Sequence, residues 1–428
     1  MITIPLPIFS MILALTACAG AGSTPAQTGE WNSPVLNKAL KTELFLPAED
    51  APGGSRRGRP AIIYLKNLNF PRVGKEPDDS IIADLLKQGY LVMTIDYGKD
   101  PKAVAPHINF DLRMMRKQLG GSRGSPGLFG RGVLVDNTYI LPEGYRLLRD
   151  VVYYEDGGDR FRMDIRYPSK ADKPMPAVMQ IPVDNASRMG NGVQVTYNEV
   201  LAEGFLTRGY AAVQVDNPIR KYAGVDYMPD IAYKLKAAVR TVRAKAKQCN
   251  IDSEHIGVMG FSRGSGQAGI LAMSGGVKEY EKGPNLEYSS RVQAALLHAG
   301  RMDHLALLRD SPRFAEQYVA AFGDPEKNRK TWEMHSAISY LTKDDPPTFL
   351  SVGGKDEYRV KQIELMAEAL KRTGVEYRHA VTPNMGHQVT GDLKILGEIY
   401  DFFDKHLKPA KSKPPQEAGG EKPSEGTR

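Results

Sequence analysis

The chain has 428 residues, of which 41% are hydrophobic and 25% charged, a composition typical of a globular protein with a sizeable core. It excludes extended disorder and a collagen-like structure. The formal net charge is +7, from 57 Lys and Arg against 50 Asp and Glu. Because no run of five or six like charges occurs, the sequence predicts no nucleic-acid partner.

The cysteines and histidines form no recognisable metal or disulfide pattern. Cys18 and Cys249 are too few for a disulfide framework or a four-ligand zinc site. We interpret Cys249 as a partly buried thiol at the end of a helix rather than as a redox group. The histidines show no HExxH or comparable ligand spacing, so we expect neither a metal nor another cofactor.

An apolar stretch from Ile2 to Leu15 precedes the first charged residue, Glu30, and indicates that residues 1–22 form an export signal. Residues 15–18, Leu-Thr-Ala-Cys, resemble a bacterial lipobox, although no Lys or Arg precedes the apolar stretch. This resemblance implies cleavage before Cys18 and a lipid anchor on it, and hence a periplasmic, cell-envelope or secreted protein. The alternative is a retained transmembrane helix, which early prolines shorten below the roughly 20 residues of a span.

The rest of the chain divides by composition into three parts. Residues 31–142 form a predicted accessory N-terminal α/β region, residues 146–408 a larger α/β domain, and residues 409–428 a disordered tail. Before the tail, short β-type runs alternate with helical segments, which is typical of a mostly parallel sheet flanked by helices. Residues 311–341 interrupt this alternation and are interpreted as a small helical cap.

In the larger domain, the sequence Asp-Gly-Gly-Asp at 156–159 separates two β-type runs and predicts a hairpin. The buried strands predicted after it are Ala177 to Val183, Ala211 to Asp216, Ile256 to Phe261, Val292 to His298, Thr348 to Val352 and Tyr377 to Val381. Two apolar stripes at helical spacing predict core-facing helices. They are Ile231, Leu235, Val239 and Val242 in the first helix, and Leu393, Leu396, Tyr400, Phe403 and Leu407 in the second.

The two regions share an internal similarity. Residues 60–96 and residues 176–216 each contain a Pro-Ala strand, then a Gly-Tyr pair, then a terminal Asp. A duplicated strand-helix-strand unit would produce this pattern, and so would any two unrelated units of that type.

Two Gly-x-Ser-x-Gly motifs occur, around Ser122 and Ser262. A nucleophile elbow places such a serine between a buried strand and a helix, with small residues on both sides because the turn is tight. Ser262 fits this context, since the predicted strand 256–261 precedes it and a helix rich in small residues follows. Ser122 follows a charged helix and is soon followed by a proline, which predicts a glycine-rich loop.

The glycines after Ser262 also form a Gly-x-Gly-x-x-Gly string, made of Gly264, Gly266 and Gly269. A dinucleotide site would need an acidic residue at the end of the next strand, about 20 residues on. Around Tyr288 the sequence is instead a polar loop. We therefore interpret the glycines as allowing the helix to pack closely against its strand.

A serine hydroxyl needs a base to take its proton, usually a histidine that a carboxylate orients. Asp356 follows the predicted strand 348–352, and His387 follows the next strand, just before the last helix. The order Ser262, Asp356, His387 is the Ser…Asp…His order of α/β-hydrolases. These residues are therefore the candidate catalytic triad.

Other candidates for these roles are present. Asp303 follows the strand 292–298 and is an alternative partner for the histidine. Asp216 ends a strand and is interpreted as a carboxylate that anchors a loop. The remaining histidines, including His298 and His304, are interpreted as structural or exposed.

On these ordered motifs, the chain resembles an α/β-hydrolase of the serine esterase branch from about residue 151 to residue 407. Residues 163–168, Met-Asp-Ile-Arg-Tyr-Pro, are similar to a segment of acetyl-xylan and feruloyl esterases and of dienelactone-hydrolase and prolyl-oligopeptidase relatives. The resemblance implies an oxyanion hole formed by the amide of Arg263 with that of Val183 or Asp184. Residues 182–185 lack the His-Gly-Gly-Gly sequence of those esterases.

The expected function is an exported serine hydrolase that cleaves carboxylic esters through an acyl-enzyme, without a cofactor. The resemblance implies a small-molecule or polysaccharide ester as substrate. The alternatives are a peptidase of the prolyl-oligopeptidase kind, whose usual β-propeller the N-terminal region is too short to form, and a non-catalytic binding protein on a hydrolase fold.

Overall fold

The computed structural model describes residues 24–33, 36–48, 50–51, 61–67, 79–98, 138–183, 196–219, 221–222, 224–387 and 393–408. The predicted export signal with Cys18, the Ser122 motif, Asp184 and the tail 409–428 lie outside these residues. Within these ranges, no helix is long and apolar enough to cross a membrane.

The first part of the chain forms a five-stranded sheet. Its strands are β1 (Gln27–Ser33), β2 (Lys38–Phe45), β3 (Ala61–Lys66), β4 (Leu91–Asp96) and β5 (Thr138–Pro142), with helix α1 (Asp79–Lys87) between β3 and β4. The order across the sheet is β1-β2-β4-β3-β5. β1, β2 and β4 pair antiparallel, whereas β3 pairs parallel with both β4 and β5.

The second sheet has eight strands, in the order β15-β14-β13-β12-β8-β9-β7-β6. They are β6 (Tyr145–Asp156), β7 (Asp159–Pro168), β8 (Met175–Ile181), β9 (Ala211–Val215), β12 (Ile251–Phe261), β13 (Ala294–His298), β14 (Thr348–Gly353) and β15 (Tyr377–Thr382). A separate two-stranded ribbon contains β10 (Lys221–Tyr222) and β11 (Val225–Asp226). The first pairings, β6 with β7 and β7 with β9, are antiparallel, and those from β9 to β15 are parallel.

The remaining helices are α2 (Thr196–Thr207), α3 (Met228–Cys249), α4 (Arg263–Met273), α5 (His304–Asp310), α6 (Ala315–Phe322), α7 (Arg329–Met334), α8 (Glu357–Thr373) and α9 (Leu393–Leu407). Short 3₁₀ turns at Lys278–Tyr280, Pro312–Phe314 and Ala337–Tyr340 lie between them. The segment that interrupts the alternation, 311–341, thus folds into short helices.

The predicted elements of this larger α/β region are present, with small shifts at their ends. Gly157 and Gly158 form the two-residue turn of the β6–β7 hairpin, and both have positive φ, 57° and 93°, as a type I′ turn requires. The two predicted apolar stripes lie on α3 and α9, and Leu235 and Phe403 are fully buried. β12 begins five residues earlier than the predicted Ile256, at Ile251, because its pairing with β8 continues across a register shift.

The direction of chain travel reverses next to β8. From β8 the chain crosses through α2 to β9, and it then returns through α3 to β12 on the other side of β8. Since parallel crossovers are right-handed, α2 and α3 cover opposite faces of the sheet. Helix α9 packs beside α2 on one face, and helix α4 packs beside α3 on the other. In open α/β sheets, ligands bind at the carboxyl ends of the strands beside such a reversal.

The two sheets share an arrangement of five strands. The order β1-β2-β4-β3-β5 of the first sheet corresponds to the order β6-β7-β9-β8-β12 within the second. In each sheet the first two of these strands are antiparallel, and the third lies between the fourth and the fifth. In both strand-helix-strand units a glycine with φ of 85° lies between the helix and the second strand, Gly89 in one and Gly209 in the other. The two regions are therefore similar in strand arrangement over five strands, beyond the one unit whose similarity the sequence shows.

Helix α2 belongs to both cores. Leu201 and Phe205 pack into the core of the eight-stranded sheet, whereas Ala202 and Leu206 pack with residues of α1 and of the five-stranded sheet. The Tyr145 hydroxyl also donates a hydrogen bond to the carbonyl of Leu206. The N-terminal sheet thus packs directly on the larger one, and the division into domains at residues 142 and 146 stays a prediction.

Candidate active site

Ser262 lies in the tight turn between β12 and α4. Its φ is 55° and its ψ is −114°, a left-handed conformation that is costly for a residue with a Cβ atom. The Ser262 amide donates to the carbonyl of His298 at 2.9 Å, which holds this turn to the end of β13. The strained turn that the motif predicts is therefore present at Ser262.

The glycines on either side of Ser262 are required by close backbone contacts. A Cβ atom on Gly260 would lie 2.1 Å from the carbonyl oxygen of Gly264. A Cβ atom on Gly264 would lie 2.3 Å from the carbonyl oxygen of Ile181, at the end of β8. Backbone atoms cannot move aside cheaply, so the Gly-x-Ser-x-Gly pattern follows from sterics.

The later glycines of α4 have a different partner from the predicted one. Cβ atoms on Gly266 and Gly269 would lie 3.0 Å from the carbonyl oxygen of Arg301 and from the Cβ of Ala337. These glycines therefore bring α4 close to the segment after β13 and to a 3₁₀ turn, rather than to its own strand. This packing explains the string without a dinucleotide.

Asp356 and His387 lie on two adjacent loops at the carboxyl ends of β14 and β15. The Gly354 amide donates to the carbonyl of Thr382 at 2.8 Å, and the Lys355 amide donates to that of Met385 at 2.9 Å. His387 Nδ1 lies 2.6 Å from Asp356 Oδ2. The two loops thus bring together the carboxylate and the imidazole that the sequence identifies separately.

The environment of Asp356 favours its ionised form. Burial raises the pKa of its carboxyl group, but the hydrogen bond with His387 and the charge of Arg359 outweigh burial and lower the pKa below its usual value. Arg359 Nη1 contacts both carboxylate oxygens, at 3.2 Å and 3.3 Å. Asp356 therefore carries a negative charge that can orient the imidazole.

Arg359 also contacts the serine. Its Nη2 donates to Ser262 Oγ at 3.4 Å, so one guanidinium bridges the carboxylate and the hydroxyl. Among the residues that the structure describes, Ser262 Oγ makes no hydrogen bond with His387. Such bonds are often long in ligand-free enzymes and tighten when substrate binds. Because Nδ1 faces Asp356, Nε2 is the nitrogen of His387 that remains for the serine.

Aromatic and histidine side chains pack around the imidazole of His387. The ring of Phe261 lies 4.6 Å from that of His387 and 5.2 Å from that of His298, measured between centroids. The His298 Nδ1 lies 2.7 Å from Ser351 Oγ, and its Nε2 lies 3.2 Å from the carbonyl oxygen of His387. Burial lowers the pKa of His298 to about 3, so it is neutral and supports the His387 loop.

The other predicted carboxylates have different partners. Asp303 caps helix α5, where it accepts hydrogen bonds from the amides of Leu305 and Ala306 at 2.9 Å and 3.1 Å. Asp216 accepts a hydrogen bond from the Arg162 amide at 2.8 Å, as a loop-anchoring residue would. Of the candidate acids, Asp356 is the one that contacts His387.

Two of the three residues predicted for the oxyanion hole lie beside Ser262. Arg263 is the first residue of α4, so its amide has no acceptor within the helix. Val183 follows β8, and its carbonyl accepts a hydrogen bond from Arg263 Nη1 at 3.2 Å. Asp184 is outside the described residues. The Arg263 side chain is also held by Asp226, with Nε 3.1 Å from Oδ2.

A pocket of about 260 Å³ opens beside Ser262. Its lining is Val183, Asp226, Met228, Ser262, Arg263, Gly266, Arg301, His304, Tyr318 and Arg359. Tyr318 comes from α6, so the helical segment 311–341 forms part of the wall. Arg301, Tyr318 and Arg359 are not predicted from the sequence. For Arg359 a signal exists, because it lies on α8 only three residues after Asp356.

The fold and the site define an α/β-hydrolase. Residues 163–370 match the family model BD-FAE, which describes esterases of the α/β-hydrolase type. No curated protein matches the sequence. The chain therefore has the α/β-hydrolase fold, and its residues 163–370 are similar to esterases of that type, as the motifs predict.

Solved structures with the same fold include a carbohydrate esterase and a bifunctional GH43-CE protein. A truncated carbohydrate esterase from gut microbiota is 21% identical, with a TM-score of 0.50 over 60% of this chain and 95% of the other. A bifunctional GH43-CE protein of Bacteroides eggerthii is 24% identical, with a TM-score of 0.50 over 60% of this chain and 35% of the other. At sequence identities of 21% and 24%, these structures show that the chain shares their fold.

Proposed function

We propose that this protein hydrolyses carboxylic esters through an acyl-enzyme on Ser262. The observation that carries the proposal is the strained turn at Ser262 beside the His387–Asp356 pair, whose nitrogen and oxygen are 2.6 Å apart. A left-handed serine between two sterically required glycines has a function that outweighs its conformational cost. The match to an esterase family supports ester hydrolysis as the reaction.

In the first half-reaction, Ser262 Oγ attacks the ester carbonyl carbon while His387 Nε2 takes the hydroxyl proton. The carbonyl π electrons move to its oxygen, and Asp356 stabilises the imidazolium ion. The carbon–oxygen bond to the alcohol then breaks, and His387 gives its proton to the departing oxygen. In the second half-reaction, water repeats these steps and releases the acid and Ser262.

The negative charge of the tetrahedral intermediate lies at the N-terminus of α4. We infer that the amides of Arg263 and of Val183 or Asp184 donate to it. The partial positive charge of the helix N-terminus favours an oxyanion at this place. Arg359 adds a cation within hydrogen-bond distance of Ser262 Oγ, at 3.4 Å, which favours the serine oxygen as it gains negative charge.

A carbohydrate ester is the substrate class that we propose. The pocket beside Ser262 is lined largely by polar groups, including arginines, Asp226 and Tyr318, which suits a hydroxylated ligand better than a long acyl chain. The structures with this fold include a carbohydrate esterase, which supports the same class.

We also propose that the protein is exported and held by a lipid on Cys18. The apolar stretch before Cys18 and its resemblance to a lipobox support this localisation. Metabolic labelling with an alkyne fatty acid tests it. We expect labelled wild-type protein and unlabelled Cys18→Ser, and equal labelling of both would contradict the anchor.

The experiment that tests the proposed reaction is active-site labelling with a fluorophosphonate probe. We expect covalent labelling of the purified protein and none of Ser262→Ala, with hydrolysis of acetyl or feruloyl esters and no cleavage of prolyl peptides. Cleavage of the peptides would favour a peptidase instead. Absence of labelling in protein with a cooperative melting transition would favour the non-catalytic binding protein.

A further inference from the structure

The pocket beside Ser262 contains more positive than negative charge. Three arginines line it, namely Arg263, Arg301 and Arg359, together with the carboxylate of Asp226. Asp356 lies directly behind Arg359 and is held by His387. Even when Asp356 is counted, three positive side chains face two negative ones around the pocket.

Two of these arginines already have carboxylate partners. Arg263 Nε lies 3.1 Å from Asp226 Oδ2, and Arg359 Nη1 lies 3.2 Å from Asp356 Oδ1. These pairs hold the two side chains in place. Neither guanidinium needs a further anion to be balanced.

Arg301 is different, because its partners are aromatic. Its Nη1 donates to the Tyr318 hydroxyl at 2.9 Å, and its guanidinium carbon lies 4.5 Å from the centroid of the Phe314 ring. No carboxylate within the described part of the chain forms an ion pair with it. Tyr318 and Phe314 hold the cation in place without neutralising it.

A partly buried cation without an anion is unfavourable, and the proximity of a second one adds repulsion. Arg301 and Arg359 are close enough that the charge of Arg301 helps to lower the pKa of Arg359, after the larger effect of burial. A ligand carboxylate would relieve this repulsion, and a guanidinium binds it through two parallel hydrogen bonds. The pocket is thus arranged for an anion beside the serine.

His304 supplies a second unsatisfied group on the same wall. Its side chain is 4% exposed, and its Nδ1 has no hydrogen-bond partner among the described residues. Burial lowers the pKa of His304 to about 3, so the ring is neutral and one nitrogen can accept a hydrogen bond.

We propose that Arg301 binds a carboxylate of the ester substrate, so that the enzyme prefers esters that carry a carboxylate close to the bond that is cleaved. This inference rests on the proposed function at Ser262. The carboxylate belongs either to the acyl group, as in a half-ester of a dicarboxylic acid, or to the alcohol, as in an acetylated uronic acid. The recognition by Arg301 is the same in both.

Two matched substrate pairs test the inference and separate the two sources. On the acyl side, 4-nitrophenyl hydrogen succinate is compared with 4-nitrophenyl pentanoate, which has a similar size without the charge. On the alcohol side, acetylated galacturonic acid is compared with acetylated galactose. We expect kcat/KM to favour the carboxylate roughly 10- to 100-fold in one pair.

Arg301→Gln is expected to reduce the ratio of the two kcat/KM values in that pair to about one. Arg329→Gln is expected to leave the ratio unchanged. Arg329 is the matched control because its side chain is 71% exposed and pairs with Glu333 on α7. If Arg301→Gln does not fold, Arg301→Lys takes its place and should weaken the preference, because an ammonium lacks the planar fork. In the wild type, added salt should lower kcat/KM for the anionic substrate more than for its neutral partner.

The outcomes that overturn the inference differ from those that overturn the proposed function. Labelling of Ser262 by the fluorophosphonate probe without a carboxylate preference in either pair overturns the inference alone. A preference that Arg301→Gln and Arg301→Lys leave unchanged also overturns it. Failure of Ser262 to label overturns the proposed function, and the role of Arg301 in it.

Discussion

Gly353 and Gly386 touch backbone to backbone. A Cβ atom on Gly353 would lie 1.8 Å from the carbonyl oxygen of Gly386, closer than any side chain can approach. Gly353 ends β14 three residues before Asp356, and Gly386 directly precedes His387. The absence of a side chain at Gly353 is therefore what allows the two loops to meet.

Gly353→Ala should separate those loops. We expect about 1–3 kcal/mol of destabilisation from the steric conflict, and a loss of roughly 100-fold in kcat/KM because small displacements of catalytic groups are costly. Thermal melting and ester hydrolysis measure the two effects. Gly276→Ala is the control, since a Cβ atom there meets nothing within 4 Å. Equal activity of the two variants would contradict this role of Gly353.

Asp356→Asn tests the carboxylate partner of His387. An amide cannot stabilise the imidazolium ion and favours the wrong tautomer, so we expect kcat to fall by roughly 10³- to 10⁴-fold with little change in melting temperature. Asp303→Asn is the comparison, because an asparagine still caps helix α5. A larger loss of kcat in Asp303→Asn than in Asp356→Asn would transfer the role to Asp303.

Arg359→Met should change the pH dependence of the reaction. Burial raises the pKa of Asp356, but His387 and Arg359 together lower it by more than burial raises it. Removal of Arg359 should therefore raise the pKa of Asp356. The carboxylate would then become protonated at a higher pH. The acid limb of the pH profile of kcat/KM should therefore move to higher pH. Any stability that ionised Asp356 contributes should likewise be lost at a higher pH as the solution is acidified. Arg378→Met, at an exposed pair with Glu398, should leave the limb in place.

Asp345 provides a test of stability away from the site. Its side chain is 7% exposed, and burial raises its pKa from 3.8 to about 6, although the Thr342 amide donates to it at 2.7 Å. Between these pH values the folded protein keeps a proton that the unfolded chain has lost, so stability falls as pH rises through this window.

Asp345→Asn removes that titration and keeps an acceptor for Thr342. We expect the variant to be more stable than wild type at pH 7 by at most about 3 kcal/mol, since one pKa unit corresponds to about 1.4 kcal/mol. The gain should disappear below about pH 4. Denaturant unfolding at both pH values measures it, and a gain that is independent of pH would point to packing instead.

The sequence predicts the larger sheet well because its signals are local. The buried second half of β12, residues 256–261, and strand β14 are largely apolar runs, and the Gly157-Gly158 turn requires only its own residues. The elbow around Ser262 is also recognisable locally, since Gly260 contacts the backbone of Gly264 only four residues later. These features follow from periodicity and sterics within a short window.

The rest of the site depends on contacts between distant segments. Arg301 and Tyr318 come from the segment after β13 and from α6, and no spacing in the sequence links them to Ser262. The contact of Arg359 with Ser262 Oγ spans 97 positions in the chain. The shared strand order of the two sheets is likewise a property of pairing, of which the sequence reveals only one strand-helix-strand unit.

Helix α2 has consequences for how the molecule unfolds. Phe205 is fixed in one core and Leu206 in the other, so neither sheet can lose its packing without exposing a side of this helix. A buried helix shared by two cores couples their local opening, because neither core can open without exposing apolar side chains of that helix. We therefore expect the two sheets to melt in a single transition, and we expect a chain shortened to begin at β6 to expose the apolar surface of Leu206 to water and to aggregate.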